Sequence, residues 1–300
     1  MNATNNFRER ALRFFPGGSN GEYGIPEGDA PVIERGRGCR VWDTGGREYL
    51  DMTMAWGAAL IGHAHPKVLE AASAAATNGA NFAAVNRPMV ELAERIADLS
   101  PCVERLRFVA SGTEATMLCL RTARAATGRA KILKFEGAYH GQHPEGVTSL
   151  VGSDPPELPR PDPAGTGAPW VERDVLVAPY NDLAATQQIL TDHAADLAAV
   201  IVEPLHRCIP PVDGFLRGLR EATAELGIVL VFDEVVTGFR LALGGAQEYY
   251  GVSPDLVAYG KGLGGGFPIG AFGGRADVME AVNEQRLPGP NYAWSASTTG

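Results

Sequence analysis

The sequence predicts an α/β fold in which a mostly parallel sheet is covered by helices on both faces. Short apolar segments alternate along the chain with longer segments whose apolar residues recur at helical spacing. This alternation is typical of repeated strand–helix–strand units, whose strands are buried on both sides. The apolar fraction of 45% in 300 residues is ordinary for a globular protein, so we expect a packed core.

Each expected element follows from its local pattern. Buried strands are predicted where Val, Leu, Ile, Ala and Phe cluster in short runs: 106–110, 131–135, 174–178, 198–202, 228–232 and 256–259. Helices are predicted where apolar residues recur at intervals of three and four: 114–126, 182–194 and 215–226. Near the N-terminus, short strands at 39–43 and 48–51 flank a turn, and the Pro-, Gly- and Asp-rich stretch 153–169 predicts a long surface loop.

Charge and cysteine usage limit the function classes. The formal net charge of −9 disfavours a nucleic acid or an anionic membrane as partner, because either would need a basic face. Cys39, Cys102, Cys119 and Cys208 are scattered without a C-x-x-C pair, which favours reduced thiols over a disulfide framework or a zinc site. No signal peptide or membrane-spanning run is evident. We expect a cytoplasmic protein that acts on small molecules.

Ligands of such sheets bind beyond the carboxyl ends of the strands, and two residues there form an informative pair. Asp233 directly follows the fifth predicted strand, and Lys261 follows the sixth between two glycines. A lysine amine and a strand-end carboxylate are the pair that pyridoxal phosphate requires. The amine forms a Schiff base with the cofactor aldehyde, and the carboxylate keeps the pyridine nitrogen protonated.

Each member of this pair also has a structural interpretation. Asp233 could cap a turn or pair with Arg240, and Lys261 could be an exposed lysine in a flexible loop. A P-loop is excluded, because Asp255 stands where its first glycine would be and Gly262 stands where Ser or Thr should follow the lysine.

The residues after the first strand form a potential anion site. Ser111, Gly112 and Thr113 open a predicted helix, whose N-terminal dipole and free N–H groups could bind a phosphate. The alternative is a plain capping box, with Ser111 as N-cap and Glu114 three residues later.

The second strand is followed by an aromatic residue between glycines. Tyr139 could stack on a planar cofactor, or it could be a packed tyrosine in a turn. Two pairs of histidines could suggest a metal site: His140 with His143, and His63 with His65. Both pairs lack the helical i, i+4 spacing and a third ligand. We therefore expect no metal site.

Together these motifs resemble those of class III, fold type I, pyridoxal-phosphate-dependent aminotransferases, at segments 111–115, 135–141, 233–240 and 260–266. The resemblance extends over nearly the whole chain. It is nearest to the glutamate-1-semialdehyde 2,1-aminomutase branch, through segments 15–18, 55–57, 62–66 and 180–183. The implied cofactor is pyridoxal 5′-phosphate.

The resemblance also implies which residues act. The catalytic set would be the Schiff-base lysine that moves protons, the partner of the pyridine nitrogen and the stacking ring: Lys261, Asp233 and Tyr139. Further cofactor contacts would be the phosphate cradle, a histidine beside the stacking ring and an apolar contact under the cofactor: Ser111, Gly112, Thr113, His140 and Val235. Family members are homodimers whose partner subunit contributes a threonine to the phosphate, which here would be Thr298, with Ser297 as the alternative register.

The implied reaction is transamination. An amino compound would displace Lys261 from the cofactor, and proton transfers would lead through a ketimine to pyridoxamine phosphate and an oxo product. A second oxo substrate would then reverse the steps. Three alternatives stay open: an aminomutase that returns the amine to the same molecule, a racemase, and a fragment that binds the cofactor without turnover.

Three features depart from the family pattern. Segment 19–24 holds no arginine, whereas the aminomutases use one there for the substrate carboxylate. Cys208 stands five residues after Glu203, where a polar amide or acid is usual. The sequence ends at Gly300, before the family's smaller C-terminal domain. We therefore expect an N-terminal segment at 1–50, a large cofactor-binding domain at 51–285, and the start of a link at 286–300.

Overall fold

The computed structural model describes residues 3–20, 31–79, 82–151, 156–162, 168, 170–283 and 285. Contacts within the chain group it into two compact units, residues 1–80 and 81–300. The domain boundaries expected at residues 50 and 285 stay predictions.

The first unit contains a three-stranded antiparallel sheet. Its strands are β1 (Ile33–Arg37), β2 (Arg40–Asp43) and β3 (Glu48–Leu50), and its helices are α1 (Ala3–Leu12) and α2 (Pro66–Ala76). The predicted hairpin is confirmed at β2 and β3. Its turn is held by the Asp43 carboxylate, which accepts the N–H groups of Gly45 and Arg47, each at 2.9 Å. An aspartate that accepts backbone N–H groups a few residues later stabilises a tight turn.

The second unit is built on a seven-stranded sheet. Its strands are β4 (Arg105–Val109), β5 (Lys131–Phe135), β6 (Val175–Ala178), β7 (Leu197–Val202), β8 (Val229–Asp233), β9 (Leu256–Tyr259) and β10 (Gly270–Gly274). They lie in the order β4-β10-β9-β8-β7-β5-β6. Only β10 runs antiparallel to its neighbours. The mostly parallel sheet and its six predicted strands are therefore confirmed.

The helices of this unit are α3 (Arg87–Leu99), α4 (Gly112–Thr127), α5 (Pro144–Val147), α6 (Val171–Asp174), α7 (Leu183–Asp192), α8 (Phe215–Glu225), α9 (Gly245–Tyr250) and α10 (Ala276–Met279). The three predicted helices correspond to α4, α7 and α8. Among the helices that the structure describes, none combines the length and the apolar composition needed to cross a bilayer.

The helices cover both faces of the sheet, as predicted. On one face, side chains of β5, β7 and β8 pack with α3, α7 and α8 in a cluster that includes the fully buried Phe135, Phe215 and Phe232. On the other face, alternate residues of the same strands pack against α4 and α10. Burying one such side chain stabilises the fold by about 1.5–3 kcal/mol. The sheet is thus a rigid support for the side chains and loops at the carboxyl ends of its strands.

Strand β10 was not among the predicted strands. Three of its five residues are glycine, a type depleted in strands, so its local pattern indicates a loop. The glycines are needed because β10 lies between β4 and β9. A Cβ at Gly273 would collide with the carbonyl oxygen of Arg105, and one at Gly274 would collide with that of Asp255. This requirement comes from neighbours distant in sequence.

Candidate active site

The carboxyl edge of the sheet brings the predicted catalytic pair together. Asp233 is the last residue of β8 and pairs in register with Ala258 of β9. Lys261 begins a short 3-10 turn directly after β9. Helix α4 begins at the same edge, because Gly270 at the start of the antiparallel β10 pairs with Val109 at the end of β4. The strand order explains why residues about 150 positions apart, such as Ser111 and Lys261, meet there.

Asp233 is a buried carboxylate with two partners. Its Oδ2 lies 2.8 Å from Nδ1 of His140, and its Oδ1 accepts the N–H of Val235 at 3.1 Å. The second contact is the turn-capping interaction that the sequence left open. Burial raises the pKa of Asp233 to about 6, although the Val235 N–H and the charge of Lys261 act in the opposite direction. A cation beside this carboxylate would favour its ionised form.

His140 holds Asp233 in place. Its side chain is 1% exposed, and burial lowers its pKa well below the usual range, so the ring is neutral at pH 7. Because a carboxylate can only accept, Nδ1 carries the hydrogen and donates it to Asp233. His140 Nε2 is buried and has no partner among the described residues. A buried polar atom without a partner is uncommon and is often found at functional sites.

The second acid, Glu234, points away from the site. It accepts the Ala246 N–H at 2.6 Å, the Thr237 hydroxyl at 2.9 Å and a Gln247 side-chain N–H at 3.0 Å. These bonds attach the start of α9 to the end of β8. Successive residues of an extended chain point to opposite sides, so Asp233 faces the candidate site while Glu234 stabilises the junction with α9.

The N-terminus of α4 keeps donors available. Ser111 Oγ accepts the Glu114 N–H at 3.2 Å, so the N-cap half of the capping box that the sequence left open is formed; Glu114 in turn accepts the N–H of Ala110, the residue before the N-cap, at 2.9 Å. This box uses neither the N–H of Gly112 nor that of Thr113, which make no hydrogen bond within the described residues. With the helix dipole they form an anion-binding end.

Val235 joins this helix end to the lysine turn. A Cβ at Gly112 would lie 2.8 Å from Cγ1 of Val235, and a Cβ at Gly260 would lie 3.3 Å from the same atom. Val235 therefore fills the space between the start of α4 and the residue that precedes Lys261. Gly112 is required by this close packing, whereas a Cβ at Gly260 would need its neighbours to shift by a few tenths of an ångström.

Lys261 is half-buried and has a left-handed backbone with φ of 40°. Burial lowers the pKa of its amine, and the negative charges of Asp233 and Glu203 only partly offset that effect. A left-handed conformation at a residue with a side chain costs about 1–2 kcal/mol. Such strain persists where the surrounding structure over-determines it and is concentrated at functional sites.

The loop after β5 packs against the first turn of α4. A Cβ at Gly141 would lie 2.7 Å from Cα of Thr113, and the Thr113 hydroxyl accepts the Gln142 N–H at 3.3 Å. Tyr139 is half-buried here, and its N–H donates to Glu203 Oε2 at 3.3 Å. This position brings the tyrosine ring to the same edge as Asp233.

Two functional candidates were missing from the sequence-based set. Glu203 directly follows β7, and burial raises its pKa. Lys134 lies in β5 with a side chain that is fully buried, and its Nζ donates to the carbonyl oxygens of Ala138 at 2.9 Å, Gly146 at 3.1 Å and Thr148. The signal that could have found it was a lysine placed between the apolar residues Leu133 and Phe135 of a buried strand.

The structure thus gathers all but one of the predicted site residues at one edge of the sheet. They are Ser111, Gly112, Thr113, Tyr139, His140, Asp233, Val235 and Lys261. Thr298 and its alternative Ser297 lie outside the described residues.

Comparison with known proteins identifies the lineage of this site. The model of the family described as aminotransferase class-III matches residues 25–294. The chain belongs to the class III aminotransferase family. The resemblance stated from the sequence is confirmed, and so is the fold class.

Individual relatives show how much of a family member is present. A glutamate-1-semialdehyde 2,1-aminomutase of Acetivibrio thermocellus is 44% identical over 280 residues, which are 91% of this chain and 65% of that protein. An omega-transaminase structure from Sphaerobacter thermophilus is 40% identical, with a TM-score of 0.87 over 92% of this chain and 65% of that one. A structure described as a transaminase with PLP bound is 34% identical, with a TM-score of 0.84 over 93% and 66% of the two chains. The chain spans about two thirds of the length of these proteins.

Proposed function

We propose that this chain carries the cofactor site of a pyridoxal-phosphate-dependent enzyme that moves an amino group. The observation that supports it most is the buried Asp233, oriented by His140 at the edge where Lys261 and the N-terminus of α4 meet. The solved transaminase with PLP bound supports the same cofactor.

The residues fit this cofactor. The Asp233 oxygens keep lone pairs beyond their two bonds, so the carboxylate can also accept from a protonated ring nitrogen. The free N–H groups of Gly112 and Thr113 suit a phosphate, and Tyr139 and Val235 supply an aromatic and an apolar surface for a ring.

When bound, the cofactor supplies an electron sink for the pair of electrons left at the substrate carbon. Lys261 would hold the cofactor through its amine, and as a free amine it would take the proton from the substrate carbon. An ordinary lysine with a pKa of about 10.4 would be protonated at neutral pH. The lowered pKa of Lys261 increases the fraction of unprotonated amine, which is the form that acts as a base.

Two reactions use this machinery. An aminomutase reaction, in which the amine returns to the same molecule, is favoured by the curated relatives, which are 43–45% identical over at least 91% of this chain. This was an alternative to the transamination expected from the sequence. Transamination is the second candidate, because the omega-transaminase structure is 40% identical and segment 19–24 holds no arginine.

The cofactor assignment is tested by reducing the loaded protein with borohydride and mapping the modified peptide by mass spectrometry. We expect the pyridoxyl group on Lys261, loss of the visible absorption band in Lys261→Ala, and an unchanged band in the control Lys131→Ala. A band that survives Lys261→Ala, or a label on another lysine, would refute the assignment.

The reaction is tested with glutamate-1-semialdehyde alone and with amine and oxo-acid pairs. An aminomutase converts the semialdehyde without a second substrate, whereas a transaminase needs both partners. A homodimer completed by Thr298 of a second subunit and a cytoplasmic location also remain proposals from the sequence.

A further inference from the structure

Arg207 occupies an unusual turn beside the site. His206 and Ile209 exchange two backbone hydrogen bonds of 3.0 and 2.8 Å, so Arg207 and Cys208 form a two-residue hairpin turn. Arg207 has a φ of 57°, a left-handed conformation that such turns normally assign to Gly, Asn or Asp. A charged residue held in this conformation is a sign of a function for its side chain.

The guanidinium of Arg207 is hydrogen-bonded to the loop after β5. Its Nε and Nη2 donate to the Gly137 carbonyl oxygen at 3.3 and 3.2 Å, and its Cζ lies 5.8 Å from the ring centroid of Tyr139. The Arg207 charge opposes the burial that raises the pKa of Asp233, and it adds to the burial that lowers the pKa of Lys261.

This guanidinium retains binding capacity. The residue is exposed, and within the described part of the chain its Nη1 makes no hydrogen bond. A guanidinium presents its N–H groups as a planar fork that matches a carboxylate, and holding the fork in advance reduces the entropy lost on binding. By contrast, the buried Lys134 near the same loop donates to three backbone carbonyls.

We infer that Arg207 is a specificity-determining residue that binds a carboxylate of the substrate at the mouth of the cofactor site. The inference rests on the proposed function, and it adds the substrate class: an amino or oxo compound that carries a carboxylate. The strained turn between β7 and α8 holds the arginine for this purpose.

The test uses the cofactor-loaded chain and an unreactive dicarboxylate, glutarate, with its neutral diamide, glutaramide, as the reference ligand. Binding is measured by isothermal titration calorimetry for the wild type, Arg207→Gln, Arg207→Lys and a matched control, Arg217→Gln. Arg217 is an exposed arginine of α8. We expect Arg207→Gln to weaken glutarate binding by about tenfold to a hundredfold, the range for a hydrogen bond to a charged group.

Arg207→Lys should lose less, because it keeps the charge but not the fork. Glutaramide binding and the visible absorption band should be unchanged in every variant, and Arg217→Gln should match the wild type. Equal glutarate affinity in Arg207→Gln and Arg217→Gln would overturn the inference, as would a wild type that does not bind glutarate. Loss of the absorption band in Arg207→Gln would overturn it by assigning Arg207 to the cofactor. A wild type that takes up no cofactor would overturn the proposed function and this inference with it.

Discussion

Replacing Lys134 by methionine should destabilise the chain strongly, because this lysine organises the loop that carries Tyr139. Its Nζ donates to the carbonyl oxygens of Ala138, Gly146 and Thr148, and the side chain is fully buried. Methionine has a similar length but no donor, so buried carbonyl oxygens lose their partner: two at pH 8, where the amine is neutral, and three where it is protonated. Each such loss costs about 1–3 kcal/mol. Part of the total is offset, because the variant no longer has to bury a polar amine that is charged in the unfolded chain. We expect a net loss of about 3 kcal/mol in the free energy of unfolding.

The same strand supplies the control. Lys131 is 24% exposed at its side chain and lies 3.3 Å from Asp196 Oδ2, a surface pair of the kind that contributes less than about 1 kcal/mol. Urea denaturation of Lys134→Met and Lys131→Met at pH 8 gives the two free energies by the same method. If both variants lose the same stability, the structural role assigned to Lys134 is wrong.

The pH dependence of Lys134 is a second readout of this prediction. Burial lowers its pKa to about 7, against a usual value near 10.4 in an unfolded chain. Between these values the unfolded chain binds a proton that the folded chain does not, so stability rises with pH across that window. The neutral amine still offers two N–H donors. We expect this rise in the wild type and not in Lys134→Met; its persistence in the variant would assign it to another group.

Two further predictions concern the site itself. Asp233→Asn in the cofactor-free chain should increase the free energy of unfolding by up to about 3 kcal/mol at pH 8. Burial raises the pKa of the wild-type carboxyl to about 6, so its contribution to stability is complete below about pH 4 and is lost as the pH rises through 6. The asparagine does not titrate and keeps its contribution at pH 8. Urea denaturation at pH 5 and pH 8 checks this, and an equal effect at both would contradict it. Gly112→Ala should cost about 1–3 kcal/mol, because its Cβ would lie 2.8 Å from Val235 Cγ1. Adding Val235→Ala should recover part of that loss in a double-mutant cycle, and strict additivity would show that the two side chains do not compete for space.

The sequence predicted the elements whose signal is local. β5 and β9 are short apolar runs, and their bounds match the predicted ones. Asp233 and Lys261 were found because residues at the carboxyl ends of parallel strands converge, whatever the details of packing. The partner of Asp233 was not found. His140 is 93 positions away, and its role depends on which strands are neighbours in the sheet.

By itself, the sequence determined the fold class, the family and the residue types offered at each strand end, since these depend on periodicity and short motifs. Only the tertiary structure decided how those residues are used. In the structure Glu234 accepts a hydrogen bond from the start of α9, whereas Asp233 bonds to His140 in the loop after β5. One acid therefore stabilises the fold and the other lies in the candidate site. The tertiary structure likewise showed that Lys134, which looks out of place in a buried strand, is the amine that donates to the loop carrying Tyr139. Such roles depend on distances between segments far apart in the chain, which no local pattern encodes.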